Sequence, residues 1–199
     1  MDFSATLSMK GVTADARVRS AAGEASLRGH DLTLEIGDID KELARYASSQ
    51  NFNLVDVGAF FIAGPFGPLI TKGYNFASLF RGSGGSSRIR MLVSHWKVER
   101  GIARAKDVAM ATNGHRVALK GSLDFPNERF DDVTMAVIDE KGCVKVRQKI
   151  RGSFRNPEVE QANVLQSVAG PVLKLINQAK KLLGGKCEVF YAGSVAPPK

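Results

Sequence analysis

The chain has 199 residues, enough for one domain, or one and a half, with a proper core, and its 44% apolar and 24% charged content is that of an ordinary globular protein. A formal charge of +8 favours acidic surfaces, nucleic acid or anionic lipid headgroups, with a solvated basic face as the plainer reading. One Trp and three Tyr leave little to stack bases, so nucleic acid is not expected as a partner.

The opening Met1-Asp2-Phe3 carries no basic or apolar leader pattern and starts directly with alternation, so no signal peptide is expected. Phe3, Ala5, Leu7 and Met9 alternate with Ser4, Thr6, Ser8 and Lys10, the period-2 signature of a strand. After Lys10-Gly11, Val12, Ala14, Ala16 and Val18 alternate with Thr13, Asp15, Arg17 and Arg19, which predicts a second strand. A third begins at Glu24 with Ala25 and Leu27, then changes phase to Leu32, Leu34 and Ile36, as a β-bulge near Gly29-His30 would cause. Asp38 is placed to cap a short helix over Lys41–Ser49.

Leu54–Leu79 is apolar and broken by Gly64-Pro65 and Gly67-Pro68, predicting short helical turns packed against a sheet. Asp56, Pro65 and Pro68 argue against a spanning helix there. Arg81–Ser86 is Gly/Ser-rich and reads as a linker, since it lacks the Lys-Ser/Thr of a phosphate-binding loop.

From Arg88 to Phe154, five alternating stretches follow, separated by the turn signals Glu99-Arg100-Gly101, Thr112-Asn113-Gly114, Pro126-Asn127 and Glu140-Lys141-Gly142. Ile89, Met91 and Val93 make one apolar row. Val117, Leu119, Leu123 and Phe125 make another, against Arg116, Lys120, Ser122 and Asp124. Val133, Met135 and Val137 form the next, and Val144, Val146 and Ile150 the last, opposite Lys145, Arg147, Lys149 and Arg151. The reading is a curved antiparallel meander with an apolar face, core or lipid surface, and a basic face. Ala162–Leu183 then shows a helical stripe (Leu165, Val168, Val172, Leu175, Ile176, Ala179, Leu182, Leu183), kinked at Gly170-Pro171 and ended by Gly184-Gly185. Cys187–Val195 reads as a short strand. The fold class expected is mainly β with α (α+β), the sheet covered by short helices and the kinked C-terminal helix. The parts are 1–53 (meander and short helix), 54–85 (helical turns and linker) and 86–199 (meander, helix and tail), joined as one continuous domain. Lys10-Gly11-Val12…Leu27-Arg28-Gly29 echoes Arg100-Gly101-Ile102…Leu119-Lys120-Gly121 as a weak internal repeat.

Reacting groups do not assemble into a motif. His30, His95 and His115 have no metal or catalytic pairing, no nucleophile elbow is present, and Asp131-Asp132 and Asp139-Glu140 flank turns, where acids are common. No catalytic residue, metal or cofactor is expected, and the chain is not expected to be an enzyme. Cys143 and Cys187 permit one disulfide or two buried thiols, and at this level the choice stays open. A bridge would stabilise by about 4 kcal/mol in the chain-entropy model.

Leu54-Val55-Asp56-Val57-Gly58 with Ala63–Pro68, Ser94-His95-Trp96 through Asp107–Thr112, Val117–Asp124, Gly142-Cys143, Gly152-Ser153-Phe154 with Asn156-Pro157, and Cys187–Val195 stand in a characteristic order. Over roughly 54–197 the chain resembles the C-terminal region of AsmA-like proteins, bacterial envelope proteins related to TamB-like and YhdP-like bridge proteins. The resemblance implies a C-terminal piece of a longer periplasmic protein anchored in the inner membrane of a Gram-negative cell. It implies a β-groove with an apolar lining that serves phospholipid transport or outer-membrane biogenesis, with phospholipid or an anionic membrane surface, and other envelope proteins, as partners. An oxidising periplasm favours the Cys143–Cys187 disulfide. The alternative is a docking module that uses Arg116, Lys120, Lys145, Arg147, Lys149 and Arg151 to bind acidic headgroups or a partner protein.

Overall fold

The computed structural model describes residues 1–34, 38–41, 61, 86–160, 163–164, 187 and 189–198. Its elements are β1 (Asp2–Ser8), α1 (Ala14–Ser20), β2 (Ala22–Leu34), β3 (Ser87–Glu99), β4 (Ile102–Ala111), β5 (Arg116–Asp124), β6 (Arg129–Ile138), β7 (Val144–Gly152), β8 (Pro157–Val159) and β9 (Asn163–Val164). Strands β1 to β8 lie side by side in chain order, every pair antiparallel, and β9 also pairs with β7. The result is a mainly-β meander, open, with β1 at one edge. Among the described residues no helix is long and apolar enough to cross a membrane.

The predicted second strand is a helix instead. Thr13 caps α1, its side chain accepting from the Ala16 N–H, Asp15 lies in the first turn, and Arg19 returns to Asp15 at 2.9 Å across one turn. Ala14 and Ala16 supply little apolar area for a strand but favour a helix, and local capping decides. Gly11 therefore leads into a helix and Gly101 into a strand, so the sequence echo marks no repeated unit. Asp38 caps as expected, accepting from the Lys41 N–H at 3.0 Å. The rest of Lys41–Ser49, Leu54–Leu79 apart from Phe61, and the Gly/Ser linker apart from Ser86 lie outside the described residues. So does the helix expected over Ala162–Leu183, except Asn163–Val164, whose backbone is the short strand β9.

Three irregularities set which side chain faces where. At β4 the partners of His95 and Trp96 are Asp107 and Ala105, so Lys106 is an extra residue. At β6 the extra residue falls beside Gly121, where Asp132 is left-handed (φ 49°) and a Cβ on Gly121 would lie 2.6 Å from the Asp132 carbonyl. At β7 the partners of Val137 and Ile138 are Val146 and Val144, leaving Lys145 extra. Each bulge moves the following residues to the opposite face. The phase change foreseen near Gly29-His30 has a different cause: Asp31 is left-handed (φ 51°), and β2 and β3 change phase together with their register kept.

Two cores result, one on each face. The larger holds Trp96, Ile89, Leu92, Met110, Leu119, Leu123, Met135 and Ile150, all with under 2–3% exposure, and Ile39 and Phe61 pack with them. Ser94 is buried within it, accepting from the Trp96 indole N–H and donating to the Phe61 carbonyl, both at 2.8 Å. The smaller core is built from Val93, Ala109, Ala111, Ala118, Ala136 and Ile138 under Tyr191 and Val195. Alanines on four strand positions leave the shallow channel that an extended segment needs to lie flat on a sheet.

Candidate functional site

The broad apolar face is the first candidate surface. Register carries it from β1 across the sheet: Phe3 opposite Leu27, Leu27 opposite Ser94, Ser94 opposite Val108, and Met135 opposite Gln148. Val117, Leu119, Leu123, Val133, Met135, Val137 and Ile150 all belong to this core, with Val146 partly buried against it. At the β1 edge Phe3 remains 57% exposed. Two rows expected from alternation divide between the faces. Ile89 is in the larger core while Met91 and Val93 lie on the other side, and the Lys145 bulge sends Val144 there too, beside Ile138. Alternation counts residues, and a bulge or a left-handed residue shifts that count.

The basic residues do not act alike. Arg116 is buried: Nη1 donates to the Val195 carbonyl at 2.9 Å, and Nη2 to the carbonyls of Asp139 and Glu140 at 2.7 and 3.1 Å. Among the described residues its Nε has no acceptor, and the guanidinium lies 5.7 Å from the Tyr191 ring centroid. Arg116 therefore holds the chain's own tail and is not part of an exposed basic surface. Lys149 pairs with Asp132 and Arg151 with Glu160 at 3.3 and 3.1 Å, and Lys120 sits 5.1 Å over the Phe190 ring. Lys145 and Arg147 are exposed and form no ion pair among the described residues.

The tail forms a strap that sequence reasoning missed. Cys187 is bonded to Cys143, with Cα atoms 5.8 Å apart. Val189 bridges Cys143, and the Phe190 and Tyr191 N–H groups both donate to the Gly142 carbonyl, so the expected Cys187–Val195 strand shrinks to a single bridge. Beyond it the strap converges on Asp107. The Tyr191 hydroxyl donates to Oδ1 at 2.5 Å and accepts from the Val195 N–H at 3.1 Å. Ser194 donates to Oδ2 from Oγ at 2.6 Å and from its N–H at 3.2 Å. The bulge at Lys106 is what turns Asp107 toward the strap. A side chain at Gly193 would displace one of these groups, because a Cβ would stand 2.3 Å from Asp107 Oδ1 and 2.6 Å from the Tyr191 hydroxyl.

Burial alone would raise the Asp107 pKa, but the donors from Ser194 and Tyr191, with Arg28 nearby, outweigh it and hold the carboxyl below its ordinary value. Burial first, then the carboxylate as acceptor, push the Tyr191 phenol above the usual tyrosine range. The signal that marks this hub in sequence is the phase break in β4, where Ala103 and Ala105 give way to Val108 and Met110.

The remaining polar groups pin segments together. Asp40 Oδ1 accepts from Thr112 Oγ1 at 2.5 Å and meets His115 Nδ1 at 2.8 Å, fixing residues 38–41 to the β4–β5 turn. His95 stands 3.4 Å from Glu24 beside an open depression of about 310 Å³ lined by Ser4, Thr6, Gly23 and Ser26. Among the described residues no three His, Cys, Asp or Glu side chains converge as metal ligands would. Compared with protein-family models, curated proteins and solved structures, the chain matches none.

Proposed function

We propose that this chain is the C-terminal part of an AsmA-like envelope protein and works without catalysis in phospholipid transport or outer-membrane biogenesis. In this reading the broad face, from Phe3 and Leu27 to Met135 and Ile150, is the acyl-chain surface, and Ile39 and Phe61 cover part of it. The observation that carries the reading is that apolar side chains run across the sheet on one face and reach the β1 edge, where Phe3 stays 57% exposed. Acyl chains need a dry wall of this kind with a polar rim, and each methylene transferred from water contributes about 0.8 kcal/mol. The Cys143–Cys187 bridge accords with an oxidising compartment, here the periplasm.

Purification from a Gram-negative host followed by mass spectrometry of the extract tests it: phospholipid should copurify, and Phe3→Asp with Leu27→Asp should lower the amount severalfold. Lipid-free protein, or lipid content indifferent to both substitutions, would overturn the reading. A second reading, docking on anionic headgroups, draws on the exposed Lys145 and Arg147, which form no ion pair among the described residues. It predicts liposome binding that salt abolishes and that extracts no lipid.

A further inference from the structure

The strap lies on a floor of small side chains. Ala109 faces Ala118 and Ala118 faces Ala136 across β4, β5 and β6, and Tyr191 and Val195 cover this row. Asp107 stands two residues before Ala109 and Arg116 two before Ala118, so in antiparallel strands they bracket the row from opposite ends. Arg116 is only 6% exposed, yet its described partners are three backbone carbonyls and no carboxylate, and its Nε has no acceptor among the described residues. A buried guanidinium without a counter-ion, and with an unmet N–H, is costly. One of the three carbonyls is that of Val195 in the strap, which accepts from Nη1 at 2.9 Å, and the Tyr191 ring lies against the same guanidinium. The orphan donor therefore belongs to a group that faces the channel and its occupant.

We propose that this channel is a binding site for the free C-terminus of an extended peptide, and that the strap is an internal occupant standing in for it. In the strap the chain runs on from Val195 to Ala196, whose amide nitrogen cannot accept a hydrogen bond. A peptide ending at the equivalent of Val195 would carry a second oxygen there. A carboxylate accepts from two guanidinium N–H groups at once, which gives Nε an acceptor and the buried cation a counter-ion. The other requirements are read from the strap. Asp107 selects a hydroxyl-bearing aromatic four residues before the end and a hydroxyl next to the end, as it does Tyr191 and Ser194. The alanine floor admits a chain lying flat, and a side chain at the position of Gly193 would collide with Asp107. Access comes by local opening of residues 190–195, since the Cys143–Cys187 bond keeps the other end of the strap attached to the sheet. The site lies on the opposite face from the proposed acyl-chain surface, so the two readings stand or fall separately.

The probe is a synthetic peptide of residues 189–195 (VFYAGSV) with a free C-terminal carboxylate, and its control is the same peptide as the C-terminal amide. Both are titrated into the full oxidised chain, with NMR of the Arg116 Nε–H and the Ala118 amide locating the site. A strap that must open first lowers the apparent affinity by the fraction open. Gly193→Ala, which loosens the strap, should therefore bind the acid peptide about 30-fold tighter than the native chain does. On Gly193→Ala the acid should bind about tenfold tighter than the amide. Adding Arg116→Lys keeps the charge but removes the fork, and should bring acid and amide to within about threefold, a ratio in which any common loss of folded protein cancels. No binding of the acid peptide to Gly193→Ala, equal binding of acid and amide, or binding that shifts neither the Arg116 Nε–H nor the Ala118 amide would overturn the proposal.

Discussion

Replacing Gly193 with Ala tests whether the Asp107 hub holds the strap. The added Cβ would stand 2.3 Å from Asp107 Oδ1 and 2.6 Å from the Tyr191 hydroxyl, so the two cannot both stay. Relief requires the Tyr191–Asp107 bond to open, and the Val195 N–H loses its acceptor with it. A hydrogen bond to a charged group contributes about 1.5–3 kcal/mol when fully buried. Asp107 is only partly buried, so about 1 kcal/mol for each of two bonds is the better figure, about 2 kcal/mol in all. Because Cys143–Cys187 still tethers the tail, the change is a local opening that leaves the sheet folded. Hydrogen exchange at the Tyr191 and Val195 amides should speed up about 30-fold. Ala192→Ser, at an exposed neighbouring position, should leave both rates unchanged. Unchanged exchange in Gly193→Ala would refute the hub, and loss of the whole sheet would show the strap to be inseparable from the fold.

Reduction of the bridge, whose cysteines are 44 residues apart, should lower stability by about 4 kcal/mol in urea titration, and the intact mass should rise by two protons. Ala118→Leu adds bulk under Tyr191 and should cost about 1–3 kcal/mol, much of it recovered when Gly193→Ala has already loosened the strap; a double-mutant cycle reads the coupling. The strap should also have a pH window. The Asp107 pKa is depressed in the folded state, so its contribution is present above the ordinary carboxylate pKa of about 4 and is lost as pH falls through the lower folded value. Tyr191 is raised, so its contribution is complete below the ordinary tyrosine pKa of about 10 and is lost as pH rises through the higher folded value. Exchange of the strap amides against pH checks both limbs, and a profile flat beyond the amide's own pH dependence would contradict them.

The strands between 87 and 152 were legible because period-2 alternation and turn residues are local signals. What alternation could not supply was the count of residues per strand. Lys106, Asp132 and Lys145 each add one, and with them Val144 changes face and Asp107 gains its aim. Val12–Arg19 alternated too, but a Thr13 cap and an Asp15–Arg19 pair outweighed four small apolar residues without a strand partner. The strap was illegible for another reason: its contacts join residues 44 to 87 positions apart, from Cys143 with Cys187 to Asp107 with Ser194. Arg116 alternates with apolar Val117 in the sequence, yet only the fold shows the tail lying over it. The Cys143–Cys187 bond was expected only as an implication of the proposed resemblance, since spacing alone left it open.

The strap touches β4 through Asp107, β5 through Arg116 and the β6–β7 turn through Gly142 and Cys143. These anchors come together only when the three hairpins from β4 to β7 have paired in register. Oxidation of Cys187 onto Cys143 with the strap seated would then record that β4 to β7 have assembled, and a slipped strand among them would leave the last residues loose and both thiols open to exchange.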